Sequence, residues 1–210
     1  MPDQHQHHET APGHDHASWE ERYTSAEAVW SGRVNPPLAA EAGDLPPGRA
    51  LDVGSGEGGD ALWLAGRGWR VTAVDWAQTA LDRGARHAAD AGLADRVTWV
   101  RADLETWAPL PAAFDLVTAH FLHPTEAVRH ALVPRLGAGV APGGVLLWVG
   151  HGSSAERAAM WGADRFAAAA DVAADLDPAE WDLQLVGTRP RPPGDPHQHE
   201  ADEIVRARRR

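Results

Sequence analysis

The 210-residue chain has no cysteine. That excludes disulfides, thiolate metal centres and a cysteine nucleophile. The cytoplasm is the expected compartment. There is no lysine either: every basic side chain apart from histidine is arginine. Schiff-base chemistry and lysine general bases are thereby excluded. No run of about 18 apolar residues occurs, so no membrane span is expected. The N-terminus is polar and His-rich, unlike a signal peptide. Positive charge is also short, with a formal net charge of -11. That sign argues against general nucleic-acid binding. The terminal Arg206-Ala207-Arg208-Arg209-Arg210 reads as a solvated strand end.

What is present is organised around Ala50-Leu51-Asp52-Val53-Gly54-Ser55-Gly56-Glu57-Gly58-Gly59. A short apolar run ends in an acid and then in glycines, and Asp60-Ala61-Leu62-Trp63-Leu64-Ala65 follows as a helix. Strand, glycine turn and helix together let a nucleotide approach the backbone closely. Gly54, Gly56 and Gly59 satisfy the spacing of dinucleotide-binding folds, so a nicotinamide-dependent oxidoreductase is one reading.

Five buried strands are expected to alternate with helices. They are residues 49–53, Arg70–Asp75, Arg96–Arg101, Phe114–His120 and Val145–Gly150. Helices are expected over 58–66, Thr79–Ala91 and from Pro124 toward Leu136, with Leu81, Ala85, Ala88 and Ala89 as the apolar stripe of the second. Pro134 should end or distort the last. Pro142-Gly143-Gly144 reads as a turn, and the alanine-rich stretch 153–176 as mostly helical. Trp181–Val186 and Glu203–Ala207 are the last strands. The proline-rich loop between them is too short for a parallel crossover, so they form an antiparallel hairpin.

Upstream, Ser18 and Glu21 read as a capping box opening a helix, and Asn35-Pro36-Pro37 as its stop. Residues 1–17 carry His5, His7, His8, His14 and His16. They read as a flexible tail, or alternatively as a metal-gathering one. Residues 18–210 form one domain of ordinary size. Trp19, Tyr23 and Trp30 either pack on its body or belong to a lid, residues 18–37, over a ligand.

Alternating strands and helices give a largely parallel sheet with helices on both faces. Ligands of such sheets lie beyond the carboxyl ends of the strands. Asp52, Asp75, Asp103, His120 and His151 all fall at or near those ends.

At these residues the chain resembles the class I methyltransferases that use S-adenosylmethionine. Leu51 to Gly58 is similar to their first motif, Val74-Asp75-Trp76 to the second and Ala102-Asp103-Leu104 to the third. Phe114 to Val117 is similar to the fourth, and Leu136 to Trp148 to the fifth. Trp19 to Tyr23, Val29 to Gly32 and Asn35-Pro36 resemble a bacterial branch related to tellurite-resistance and thiopurine methyltransferases. That branch usually has cysteine where Ser55 stands.

The resemblance implies a seven-stranded Rossmann-like α/β sheet, mostly parallel with an antiparallel last strand. It implies methyl transfer to a small-molecule N, O or S nucleophile by a monomer or homodimer. Asp75 would accept both ribose hydroxyls. Asp52, Gly54, Ser55 and Gly56 would surround the methionine part. Asp103 and Leu104 would meet the adenine edge and Trp76 its face. Ala119, Trp19 and Arg22 complete the implied cofactor residues. His120, His151 and His123, in that order, are the candidate catalytic residues. Each is a general base, a metal ligand or a polar lining residue. A divalent metal and a metal-handling protein on this fold therefore stay open.

Overall fold

The computed structural model describes residues 16–154, 158–159, 161–191 and 201–210. Helix α1 spans His16–Thr24 and α2 Pro36–Ala42. Strand β1 (Arg49–Val53), helix α3 (Gly59–Gly66), β2 (Arg70–Asp75), α4 (Gln78–Asp90) and β3 (Val97–Arg101) follow. Then come β4 (Phe114–His120), α5 (Glu126–Ala138) and β5 (Val140–His151). A short 3-10 turn (Ala163–Arg165), α6 (Ala169–Ala174), β6 (Trp181–Pro190) and β7 (Ala201–Arg209) close the chain.

The seven strands form one sheet in the order β3-β2-β1-β4-β5-β7-β6. Strands β1 to β5 pair in parallel, and β7 is antiparallel to both β5 and β6. The expected hairpin is therefore present, with β7 inserted between its neighbours. The sheet order reverses between β1 and β4, which places a crevice at their carboxyl ends.

Alternate strand residues serve opposite faces. Leu51, Val53, Val74 and Val117 pack with Leu132 and Leu136 of α5 and Val172 of α6. Ala50, Val71, Ala73 and Leu116 pack with Leu38 of α2 and Leu64 of α3 on the other side. Trp99 of β3 is wedged between α3 and α4. A Cβ built on Gly58 or on Gly84 would lie 2.4 Å from its ring. The glycines are thus what brings both helices down onto the sheet there, and losing the indole should cost about 3–5 kcal/mol.

Several expectations are corrected. Helix α1 begins at His16, so Ser18 lies inside it and no capping box forms. Pro36 and Pro37 do not merely stop a helix; they open α2 from the N-cap Asn35. Proline suits a first turn, whose N–H groups have no partner anyway. Pro134 lies inside α5, which continues to Ala138 and is N-capped by Thr125, not begun at Pro124. Pro134 and His130, one turn earlier, are both exposed, so water can meet the carbonyl that proline leaves unpaired.

On α4 the buried stripe is Ala80, Leu81, Gly84 and Ala88, and Ala89 faces solvent. Pro142-Gly143-Gly144 is a bulge within β5, where the pairing register shifts, not a separate turn. The 153–176 stretch is broken by Gly162 and the 3-10 turn; residues 155–157 and 160 lie outside those described, as do residues 1–15 of the His-rich tail and most of the proline-rich loop.

The C-terminal arginines are tied down. Arg208 donates to Gly143 O at 2.6 Å, Arg209 to Val140 O at 2.6 Å, and Arg210 to Trp181 O at 3.3 Å. They brace the β5 bulge and the start of β6 instead of forming a loose basic patch.

Candidate active site

A cavity of about 500 Å³ opens at the carboxyl ends of the strands. The β1–α3 turn forms its floor. Gly54 and Ser55 N–H groups donate to Val74 O at 2.8 and 3.0 Å, pinning the turn to the end of β2. Gly54 has φ +70, a left-handed geometry that side chains resist. A Cβ there would also sit 2.1 Å from Leu122 Cδ2. Leu122 lies between Phe121 and His123, both held at positive φ, 54 and 51. Paired left-handed non-glycine residues concentrate backbone strain beside this cavity.

Asp75 ends β2. Its Oδ2 accepts from Gly56 N at 2.8 Å and its Oδ1 from Ala77 N at 2.9 Å. Burial pushes its carboxyl above the ordinary value, partly offset by these donors. Asp103 lies just past β3 and lines the cavity with Leu104 and Trp76. His16 occupies one face of Trp76 and points its Nε2 to within 3.6 Å of Asp103 Oδ1.

Asp52 is 3% exposed, and Thr118 donates to its Oδ1 at 3.1 Å. Its Oδ2 is buried with no hydrogen-bond partner among the described residues. Burial, then the nearby Asp60 charge, push this carboxyl up to about 7 against the pull of His120 and Thr118. A buried, unpaired carboxylate oxygen lining a cavity is costly unless a cationic or donor group meets it.

His120 ends β4. Its Nδ1 lies 2.7 Å from Asp60 Oδ2, and its Nε2 is buried without a partner among the described residues. Asp60 sits in the first turn of α3, where the helix end favours negative charge. Asn35 donates to it twice, from the backbone N at 2.7 Å and from Nδ2 at 2.9 Å. Burial alone would raise its pKa, but the His120 and Asn35 contacts outweigh that and hold the carboxyl below its ordinary value.

The other two histidines go elsewhere. His123 and His151 stack on each other at 4.8 Å, with Phe121 against His151 at 4.3 Å and Trp161 edge-on to His123. The three histidines therefore do not converge. Among the described residues no group of three or more His, Asp or Glu side chains is placed to hold a metal. The divalent-metal expectation gains no support.

Of the residues expected at the cofactor, Asp52, Gly54, Ser55, Gly56, Asp75, Trp76, Asp103, Leu104, Trp19 and Arg22 line the cavity. Ala119 does not: its side chain is fully buried in the core against the α5 face. The segment carrying Trp19 and Arg22 lies over the glycine turn. Trp30 Nε1 donates to Tyr23 OH at 2.8 Å, and both lie within 3.2 Å of where a Gly56 Cβ would be. Arg22 is over the rings of Trp19 and Trp30, at 5.3 and 5.6 Å.

The residue that fastens this segment is Glu57, which sequence reasoning passed over. It is 3% exposed, accepts from Val29 N and from Trp30 N at 2.9 Å, and pairs with Arg83 at 2.7 Å. Arg83 also donates to Tyr23 O at 2.6 Å. Asp60 and Asn35 were missed as well. An acid in a helix's first turn and an asparagine before prolines have ordinary local explanations, so nothing along the chain marked them as partners.

Residues 50–144 match the family model described as a methyltransferase domain. Over 134 residues, 61% of this chain and 59% of the relative, the chain is 30% identical to a probable thiol methyltransferase of Arabidopsis thaliana. It is 42% identical over 113 residues to an uncharacterized methyltransferase of Mycobacterium tuberculosis, covering 53% and 54% of the two. The chain thus spans little more than half the length of these curated relatives.

Among solved structures, it superposes with a TM-score of 0.67 on the 1,6-didemethyltoxoflavin-N1-methyltransferase of Burkholderia thailandensis. That match has 20% identity and covers 92% of this chain and 86% of that one. The relative's structure contains S-adenosylhomocysteine. The likeness fixes the fold, and the domain match, not a nicotinamide enzyme, accounts for the glycine turn. Residues 50–144 form a methyltransferase domain of the class I, S-adenosylmethionine-dependent type.

Proposed function

We propose that the chain methylates a small-molecule acceptor, using S-adenosylmethionine and His120 as the proton acceptor. One observation carries the reading: two buried atoms without partners among the described residues, Asp52 Oδ2 and His120 Nε2, belong to side chains lining the same cavity. One is an acceptor suited to an ammonium group, the other a nitrogen suited to a reacting proton.

When bound, S-adenosylmethionine supplies an electrophilic methyl group on sulfonium. Asp75 keeps a lone pair on each oxygen for the ribose hydroxyls beyond its backbone donors. Gly54, Ser55 and Gly56 give the methionine part close access to backbone, and Asp52 receives its ammonium. Arg22, at the mouth over two indoles, is available to its carboxylate. Asp103 and Leu104 receive the adenine edge, and Trp76 its face. The segment 18–37 acts as a lid that keeps water from the transfer.

The acceptor lies beside the His123–His151 stack, whose flat faces suit a planar molecule. Its nucleophile is sulfur, oxygen or nitrogen; the plant relative's name concerns a thiol. The test is a mass-spectrometric screen with methyl-labelled S-adenosylmethionine against thiols, phenols and ring N–H compounds. Label in an acceptor, lost in His120→Ala, supports the reading. Label transfer undiminished in that variant contradicts the role of His120.

A further inference from the structure

The strongest unassigned arrangement in the molecule is the chain of contacts Asn35–Asp60–His120. We propose that Asp60, clamped by Asn35, is a positioning residue that holds the proton on His120 Nδ1 and leaves Nε2 a bare acceptor, fitting the site to acceptors that arrive carrying a proton on the nucleophilic atom.

Asp60 is an acceptor only when ionised. Its Oδ1 takes the backbone N–H of Asn35 and its Oδ2 takes Asn35 Nδ2. With those donors and the helix end beside it, the carboxylate stays charged although it is 6% exposed. The remaining contact, Oδ2 to His120 Nδ1 at 2.7 Å, then requires a hydrogen on Nδ1. A neutral imidazole with that hydrogen has its lone pair on Nε2, and that atom is the one left without a partner among the described residues. Asp52, on β1, is the other titratable group close to His120, and it leans on Thr118 instead.

The chemistry balances. The acceptor's proton moves to Nε2, and the electron pair it leaves forms the bond to the methyl carbon. The pair of the broken carbon–sulfur bond stays on sulfur. The imidazolium that results faces Asp60, whose negative charge stabilises it; a carboxylate orienting a histidine base works the same way in hydrolase triads. A nucleophile that needs no base, such as a halide ion, gains nothing from this arrangement. Thiols, phenols and ring N–H groups do.

The inference rests on the methyl-transfer reading for the origin of the proton, but its test does not. Nitrogen-15 NMR of the histidine-labelled full chain, with and without S-adenosylhomocysteine at pH 7.5, reads the tautomer directly. His120→Gln identifies the signal by its loss. The expected result in the parent is a protonated Nδ1 and a bare Nε2.

In Asp60→Asn the amide oxygen must keep the Asn35 backbone donor. The amide nitrogen then replaces Oδ2 and donates to Nδ1, so the hydrogen should move to Nε2. A parent showing Nε2–H or an imidazolium overturns the proposal, whatever the variant does. So does Asp60→Asn that keeps hydrogen on Nδ1. Failure of S-adenosylhomocysteine to perturb any signal would instead count against the methyl-transfer reading, leaving the tautomer to decide this one.

Discussion

The imidazole of His16 lies flat on the indole of Trp76, ring centroids 3.2 Å apart and planes 15° from parallel. Trp76 Nε1 donates to His16 O at 3.1 Å, and His16 Nε2 approaches Asp103. These are the side chains proposed to receive adenine, so the histidine competes for the adenine's partners. His16→Ala is expected to tighten S-adenosylhomocysteine binding by about 0.5–1.5 kcal/mol, the worth of a stacked ring pair. Calorimetry showing weaker binding would mean that the imidazole is a wall of the site and not its competitor.

Asp52 should make both stability and cofactor binding depend on pH. Its carboxyl is raised from 3.8 to about 7 in the fold. Between those values the native state holds a proton that the unfolded chain loses. Stability contributed by that proton is present below the lower value and lost as pH rises through the upper one. Asp52→Asn is therefore expected to be more stable than the parent at pH 8, with the advantage fading toward pH 4, in urea unfolding. The same variant should lose affinity for S-adenosylhomocysteine, while the parent's affinity should rise between pH 6 and 8 as the carboxylate ionises. A parent with pH-independent affinity would place the ammonium elsewhere.

Asp75→Ala is expected to weaken cofactor binding by about 1.5–3 kcal/mol, the range for hydrogen bonds to a charged group. The variant should remain folded, because only the Gly56 and Ala77 N–H contacts are lost from the protein itself. Unchanged affinity in a folded protein would remove Asp75 from the ribose site.

Gly54→Val should abolish binding and destabilise the fold by about 1–3 kcal/mol, the cost of a side chain in a left-handed conformation. The clash with Leu122 adds to it. Thermal unfolding and calorimetry measure the two effects separately. A normally stable variant that binds as the parent does would mean that this turn is not the cradle.

The strands were legible where buried apolar runs end in a polar residue at the crevice. Phe114–His120 was bounded correctly because Leu116, Val117 and Ala119 bury fully and the chain turns at His120. The reversed β7 was legible from a loop too short to cross over. Proline was harder, because its effect depends on position: Pro36 opens a helix, Pro134 rides inside one and Pro142 sits in a bulge. In the site, acids at strand ends announced themselves, since three strands repeat the pattern. Asp60, Asn35 and Glu57 did not. Their roles come from partners 25 to 60 positions away in the chain, and no local spacing encodes such contacts.

The most direct test of the central claim is calorimetric titration of the full chain with S-adenosylmethionine and S-adenosylhomocysteine, against NAD as the rival for the same glycine turn. Saturable one-to-one binding of both sulfur nucleosides, lost in Asp75→Ala, with no heat from NAD, is the expected result. Binding of NAD with neither sulfur nucleoside taken up would contradict the assignment of the cavity.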